Sequence, residues 1–330
     1  MRPRPLLHLL QTTANVHVTS KQPSLCTIPG VFDPALASAS HLLFAHLRSS
    51  PACAAFPPTA SHLVAHRLDF ATSGLLLLAA SSAGAAALGL AFRSATISKR
   101  YEALLDTRLA PRTSPLHTAD CGEVALPLGK RAGTPLLHTA ALHSGGGRTV
   151  LREARTRWIV LARAPGRVRV ALQPLTGRTH QLRLHCAVGL GAPILGDHLY
   201  GLGGEYAREL AARTPAAARS AELQLYIDEA LELQQRAAAA AAPEPAPPSR
   251  LHLHAQQVTL PEGAFCGSGV RDVAGSLERL CGAAAEGGLL SDCRASFSRH
   301  APCATASAAA YTVQHCAESH SVTLALATPF

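Results

Sequence analysis

An arginine and an aspartate separated by one residue form the part of the sequence best suited to chemistry. They lie in the stretch 66–75, which reads HRLDFATSGL. In an extended chain, residues i and i+2 lie on one face, so Arg67 and Asp69 are predicted to point together while Leu68 points towards a core. A carboxylate where a rigid sheet meets a loop is in a common place for a catalytic group. The alternative is an ordinary surface ion pair.

The residues after Asp69 predict the elements that hold it in place. Ala71 to Gly74 has the composition of a turn, and Leu75 to Leu78 reads as a fully buried strand. The uncharged run from Gly74 to Phe92 is 19 residues long, which is enough for a membrane span. Its serines, glycines and alanines instead favour a strand, a cap at Ser81 or Ser82, and a helix that ends near Phe92.

Composition limits the class of protein and its partners. The 330 residues are 48% hydrophobic, which is enough for a sizeable core, and carry a formal charge of +9 that suits a polyanion such as nucleic acid. Only three of the 30 basic residues are lysines: Lys21, Lys99 and Lys130. None of the nine cysteines forms a CxxC pair, so we expect mostly reduced thiols.

Two further segments carry candidate functional side chains. Ser98 to Ala103 (SKRYEA) predicts the start of a strand with Tyr101 on one face. The stretch 177–185 (GRTHQLRLH) predicts a helix that is capped by Thr179 and stops at Gly189. Between them, 150–162 and 167–172 predict an antiparallel hairpin that is rich in arginine. These arginines either contact phosphates or form a solvated sheet face: Arg148, Arg152, Arg155, Arg157, Arg163, Arg167 and Arg169.

These segments together resemble one known family. HRLDFATSG is similar to the HRLDxxTSG motif of the RluA-type pseudouridine synthases, SKRYEA to their Lys-x-Tyr-x-Ala motif, and GRTHQLRLH to their GRxHQxRxH motif, with the match continuing through GAPILGDHLYG. Residues 16–30 resemble the family's opening VxNKPxGLxxxPG, except that Gln22 and Ser24 replace a proline and a glycine. The resemblance covers about residues 16–201, 250–261 and 321–330.

The resemblance implies a site and a reaction. Asp69 would be the nucleophile, Tyr101 would stack in the active site, and Arg183 would pair with the aspartate. Side chains that we expect to contact substrate are Arg67, His66, Thr72, Arg178, His180 and Gln181. The reaction would isomerise uridines of tRNA or ribosomal RNA to pseudouridine without a cofactor. His180, His185 and His198 could suggest a metal site, but the resemblance argues against one.

The expected fold class is α+β. We expect a pseudouridine synthase fold, in which a curved and mostly antiparallel sheet with flanking helices surrounds a central basic cleft. The predicted partner is RNA, with no membrane, no metal and a monomeric state. Two alternatives stay open: an RNA-binding relative that has lost catalysis, and a glycosidase-like enzyme with paired carboxylates.

The predicted domain organisation has one interrupted catalytic domain. It covers residues 16–262 and 321–330 and includes a helical, proline-rich insertion at 202–249. Residues 1–15 are predicted to be a disordered leader, and 263–320 a poorly ordered insertion of low complexity. The leader is acid-poor and bears arginine, as organelle transit peptides do, so the compartment stays open between the cytoplasm, a chloroplast and a mitochondrion.

Overall fold

The computed structural model describes residues 6–29, 38–48, 59–108, 110–130, 138–140, 150–201, 224, 227–228, 250–261, 264–265, 311–316 and 321–326. The chain divides into two compact units. The first unit is made of residues 1–99 and 255–329, and the second of residues 100–254. Each unit has its own hydrophobic core, which in the first includes Leu75, Leu77 and Val258 and in the second Leu184 and Tyr200.

Strands dominate the described residues. They are β1 (Leu7–Thr12), β2 (Val16–Lys21), β3 (Ser73–Ala79), β4 (Ser98–Asp106), β5 (Cys121–Ala125), β6 (Leu128–Lys130), β7 (His138–Ala140), β8 (Leu151–Arg152), β9 (Arg155–Ala164), β10 (Arg167–Pro174), β11 (Leu253–Pro261), β12 (Tyr311–Cys316) and β13 (Ser321–Leu326). The α-helices are α1 (Ala39–Arg48), α2 (Ser82–Arg93) and α3 (Gln181–Leu184), and a π-helix follows at His185–Gly189. This mixture confirms the predicted α+β class.

The sheet of the first unit is built around β3. Strands β1, β2 and β3 pair antiparallel in chain order, β3 is bonded to β11, and β13 pairs antiparallel with both β11 and β12. Every residue of β3 is buried, as the run of leucines predicts. Gly74 has φ +114°, and a Cβ there would come within 2.3 Å of the carbonyl oxygen of Ala255. A glycine at this position therefore lets β11 approach β3.

The uncharged run after Asp69 folds as a strand and a helix. The hydroxyl of Ser81 accepts a hydrogen bond from the backbone N–H of Gly84 and so caps α2, which confirms the predicted serine cap. Helix α2 packs Leu88 and Ala91 into the core of the first unit. No described helix is long and apolar enough to cross a membrane.

The second unit contains the predicted arginine-rich hairpin. Strands β9 and β10 pair antiparallel on either side of a turn at Gly166, and β4 and β5 extend the sheet on the two sides. Strand β4 is also bonded to residues 193–195, because Ile194 bridges Leu105 and the N–H of Asp106 bonds to the carbonyl of Pro193. A small sheet joins β7, β6 and β8.

Two elements lie where the sequence predicts no strand. Residues 7–12 belong to the predicted disordered leader, yet they form β1 and pair with β2, because the edge of β2 offers backbone partners. Residues 311–316 belong to the predicted insertion, yet they form β12 against β13. Most of the predicted insertions at 202–249 and 263–320 lies outside the described residues.

Four histidines make the fold sensitive to acid, because burial lowers their pKa values: His17, His185 and His254 to about 4, and His66 to about 3. Below the usual value of 6.5 the unfolded chain binds these protons and the folded chain does not, so stability falls as the pH drops from 6.5 towards 4. For His185 alone the loss is up to roughly 3 kcal/mol. Urea unfolding at pH 7.5 and 4.5 measures the loss, which we expect to shrink in His185→Gln. An equal loss in that variant would contradict this assignment.

Candidate active site

The loop that carries Asp69 is fixed to the core of the first unit. Leu68 is buried, and its backbone N–H and C=O both bond to the hydroxyl of Thr27, at 3.0 and 2.8 Å. Arg67 is exposed and Asp69 is half-buried. The backbone N–H of Thr72 donates to the carbonyl of Asp69 and closes the turn before β3. The alternation of exposed Arg67, buried Leu68 and half-buried Asp69 agrees with the prediction from their spacing.

Lys21 is a buried cation of the first unit whose pKa is influenced by Asp69. It is fully buried at the end of β2, and its Nζ donates to the backbone carbonyls of Gln22, Leu25 and Phe70 at 3.1, 2.8 and 3.2 Å. An ammonium has three donors, so all three are used. Burial lowers the pKa of Lys21 from 10.5 to about 8, and the negative charge of Asp69 opposes this shift. Lys21 therefore ties two loops together beside the candidate nucleophile.

Ser24 shows how the departure from the family's opening motif is accommodated. It stands where the family has glycine and adopts φ 64°, in the left-handed region that favours glycine. Its backbone N–H donates to the carbonyl of Phe70 at 2.9 Å. The bond to the loop of Asp69 is thus made by a serine, at a conformational cost of about 1–2 kcal/mol.

His66 and Thr72, two predicted substrate contacts of the Asp69 loop, are packed within the first unit. The ring Nε2 of His66 accepts a hydrogen bond from the backbone N–H of Leu77 at 2.9 Å, and the ring lies 4.7 Å from that of Phe92. The ring is therefore neutral and anchors the loop to β3. Thr72 is buried. Contact of Arg67, His66 and Thr72 with substrate stays a prediction.

The lowered pKa of Lys21 predicts that the folded protein becomes more stable at alkaline pH. Between pH 8 and 10.5 the unfolded chain keeps the Lys21 proton that the folded chain has lost, so the free energy of unfolding rises with pH. Relative to Lys21→Met, the gain should reach roughly 3 kcal/mol, because a shift of one pKa unit corresponds to about 1.4 kcal/mol. Urea unfolding of both proteins at pH 7 and 10 measures it, since other groups cancel in the difference. A constant difference would show that Lys21 does not titrate as stated.

Tyr101 and Arg183 belong to the second unit. Tyr101 is buried in β4 opposite Leu172 of β10, and β4 confirms the predicted strand. Arg183 is buried in α3, where its Nε donates to a carboxylate oxygen of Asp197 at 2.8 Å and its Nη2 donates to the other oxygen. The convergence of Asp69, Tyr101 and Arg183 in one pocket stays a prediction.

Asp197 is a buried counter-ion that the sequence analysis did not single out. Its Oδ1 also accepts the backbone N–H groups of Leu199 and Tyr200 at 3.0 and 3.1 Å. Burial alone would raise the pKa of Asp197, but the hydrogen bonds and the charge of Arg183, together with those two N–H groups, hold it below its usual value. The signal was present in GAPILGDHLYG: a buried arginine requires a buried carboxylate, and Asp197 is the acid in that segment.

The ring of Tyr200 completes this cluster. Its hydroxyl bonds to Nδ1 of His180 at 2.7 Å, and the guanidinium carbon of Arg183 lies 5.1 Å from its ring centroid. His180 has φ 55° and occupies the cap position of α3 without a side-chain cap, so the prediction that Thr179 caps the helix is wrong. The helical segment does end at Gly189, as predicted.

Gln181 and Arg178 hold the turn before α3. Gln181 Oε1 accepts from the hydroxyl of Thr176 and the backbone N–H of Arg178, while Nε2 donates to the carbonyl of Arg155 and the hydroxyl of Thr156. Nε of Arg178 donates to the backbone carbonyl of Glu153, the residue after β8. Contacts of Gln181, Arg178 and His180 with substrate stay predictions.

Several arginines of the hairpin are paired with carboxylates. Glu123 accepts from Arg155 and Arg157, and Asp120 accepts from Arg163 at 2.7 Å. The arginine side chains in these pairs are between 43% and 60% exposed. Such exposed pairs contribute only about 0.2–1 kcal/mol each, so a phosphate could replace the carboxylate. The structure keeps both interpretations of this surface open.

The three histidines that could have suggested a metal do not form a ligand set. His180 is bonded to Tyr200, and the ring of His185 is held between Thr156 and the carbonyl of Leu126. Among the described residues, no group of three His, Cys, Asp or Glu side chains is placed to hold a metal ion.

The Asp69 loop and helix α3 lie in a region that is similar to known proteins of one family. The family model for RNA pseudouridylate synthase matches residues 58–188, which include the Asp69 loop, Tyr101 and Arg183. The dual-specificity RNA pseudouridine synthase RluA of Pasteurella multocida is 41% identical over 137 residues, 41% of this chain and 56% of that protein. Over these residues the chain is similar to the RluA-type pseudouridine synthases.

Other pseudouridine synthases match over similar lengths. An uncharacterized RNA pseudouridine synthase of Zymomonas mobilis is 40% identical over 42% of this chain and 57% of that protein. The mitochondrial pseudouridylate synthase RPUSD4 of Xenopus tropicalis is 33% identical over 59% and 56%. The chain thus spans little more than half the length of these relatives. The solved human RNA pseudouridylate synthase domain containing 1 is 23% identical with a TM-score of 0.48, over 79% of this chain and 82% of that one.

Proposed function

We propose that the chain isomerises uridines in RNA to pseudouridine, with Asp69 as the nucleophile. The observation that carries this proposal is the loop of Asp69. It has the HRLDxxTSG sequence of the RluA-type pseudouridine synthases, it is bonded to the core through Leu68, and its carboxylate is half-buried in the field of the Lys21 ammonium. A fixed carboxylate near a buried cation is what a nucleophile of this reaction requires.

The reaction sets the demands on these residues. The bond between N1 of the base and C1′ of the sugar breaks, the uracil turns, and C5 bonds to C1′. C5 loses a proton and N1 gains one, so the atoms balance without a redox partner. Asp69 would hold the intermediate covalently, through C1′ or through the ring, or would take a proton from C2′. We keep these routes open.

The remaining predicted residues receive roles around that step. A uridine must leave its stack to reach a carboxylate, which costs a few kcal/mol. Tyr101 would stack on the extruded base, and Arg183, which Asp197 orients, would pair with Asp69. Arg67 would contact the RNA strand, together with His66, Thr72, Arg178, His180 and Gln181.

The described part of the first unit disfavours the glycosidase-like alternative. Asp69 is the only acidic residue among its described residues. A glycosidase needs a second carboxylate about 5–10 Å from the first. Within the described part of that unit, Asp69 has no such companion, whereas pseudouridine formation by this family needs a single aspartate.

The test is direct. Purified protein is incubated with RNA whose uridines carry tritium at C5, and the release of tritium is counted, because C5 loses its hydrogen in the reaction. Transfer RNA and ribosomal RNA are tested separately, from cytoplasm and from organelles, since several relatives carry "mitochondrial" in their names. Pseudouridine mapping in the same RNA identifies the position. If the protein binds RNA but no tested RNA releases tritium, the result would favour the alternative of an RNA-binding relative that has lost catalysis.

A further inference from the structure

Phe70 is an exposed aromatic residue directly after the proposed nucleophile. Its residue exposure is 47%, whereas Leu68, two positions earlier, is 6% exposed. The other large hydrophobic residues that the described part of the chain exposes are all aliphatic: Leu6, Leu9, Leu42, Leu90, Val150 and Ile159. A large ring in water forgoes the stabilisation that burial gives, so a polar residue would suit this position better if stability alone mattered.

The backbone of Phe70 is fixed although its ring is exposed. Its carbonyl accepts hydrogen bonds from Nζ of Lys21 at 3.2 Å and from the backbone N–H of Ser24 at 2.9 Å. The next turn closes between Asp69 and Thr72. These bonds hold the main chain on both sides of Phe70, so the ring can move only by rotation about its two side-chain torsions. A flat apolar surface held in this way loses little conformational entropy when it binds.

We propose that the ring of Phe70 stacks on a nucleobase that neighbours the target uridine in the RNA. This inference rests on the proposed function, since it places RNA at Asp69. Extruding the uridine unstacks its neighbours, and an aromatic side chain adjacent to the carboxylate can cover the face of a neighbouring base. Stacking accepts every base, because each has a π-face, so Phe70 contributes affinity and position rather than sequence choice.

Fluorescence tests the contact itself. Phe70→Trp places an indole at the site, and Leu90→Trp is the matched control, because Leu90 is 62% exposed on α2 of the same unit. The chain's own Trp158 is buried and gives the background signal. The probe is an RNA hairpin with a loop of uridines. We expect the hairpin to quench the emission of Phe70→Trp. It should change the emission of Leu90→Trp no more than it changes that of the unmodified protein. Equal quenching of the two variants overturns the proposal.

Kinetic measurements test whether stacking by Phe70 contributes to the reaction. Loss of one stacked base corresponds to a factor of roughly 5 to 150, so kcat/KM for tritium release should fall by that factor in Phe70→Ala. Phe70→Tyr and Phe70→Trp should retain most of the activity, which a general loss of stability would not predict. Unchanged kcat/KM in Phe70→Ala overturns the proposal while the proposed function stands. If the unmodified protein releases no tritium, the proposed function fails, and the fluorescence result alone decides whether Phe70 meets RNA.

Discussion

Asp69→Asn abolishes pseudouridine formation while the protein stays folded and still binds RNA. Asparagine keeps the shape of the side chain but cannot serve as the carboxylate nucleophile, so kcat should fall on the order of 10³-fold or more. The fold should persist because the bonds that fix this loop run through the backbone of Leu68 and Phe70 and through the side chains of Thr27 and Lys21. Tritium release and RNA binding by filter retention measure the two effects.

The substitution also changes a neighbouring titration in a defined direction. The charge of Asp69 raises the pKa of Lys21, so its removal lowers that pKa further below about 8. The alkaline rise in stability should therefore begin at a lower pH in Asp69→Asn. The control is Asp120→Asn, which removes an exposed carboxylate of the second unit and should leave kcat within a few-fold of the unmodified protein. Activity in Asp69→Asn equal to this control would refute Asp69 as the nucleophile.

Asp197→Ala strongly destabilises the protein. It leaves the guanidinium of Arg183 buried without its carboxylate, and removal of one partner of a buried ion pair costs about 3–5 kcal/mol. The backbone N–H groups of Leu199 and Tyr200 lose their acceptor as well. Asp120→Ala is the matched control: it breaks an exposed pair with Arg163 and should cost at most about 1 kcal/mol. Urea unfolding at pH 7 measures both.

A double substitution separates burial of charge from packing. Arg183→Met combined with Asp197→Leu removes both charges and should recover part of the stability lost in Asp197→Ala, because no ion is left buried, while the N–H groups of Leu199 and Tyr200 still lack their acceptor. Activity should not recover, since the proposed partner of Asp69 is gone. Asp197→Asn keeps an acceptor oxygen and should fall between the two in stability. A double variant as unstable as Asp197→Ala would mean that packing around Asp197, rather than its charge, holds this cluster.

The elements with strong local signals could be predicted from the sequence. The leucine run of β3, the serine cap of α2 and the hairpin of β9 and β10 each follow from neighbouring residues, because burial on both faces, capping and tight turns are local. Strands β1 and β12 could not be predicted in this way. Each becomes a strand because the strand that follows it closely in the chain, β2 or β13, offers backbone partners, and its own residues do not reveal that pairing.

By itself, the sequence determined which side chains to examine: the three motifs led to Asp69, Tyr101 and Arg183, and to the family. Only the tertiary structure decided which groups act on them. It placed Lys21 in the field of Asp69 and Asp197 on Arg183, 48 and 14 positions away in the chain. Asp197 pairs with Arg183 because a buried charge needs a partner of opposite charge, whereas the donors of Lys21 are taken by backbone carbonyls of two loops. Both arrangements depend on how distant segments pack, which the sequence alone does not give.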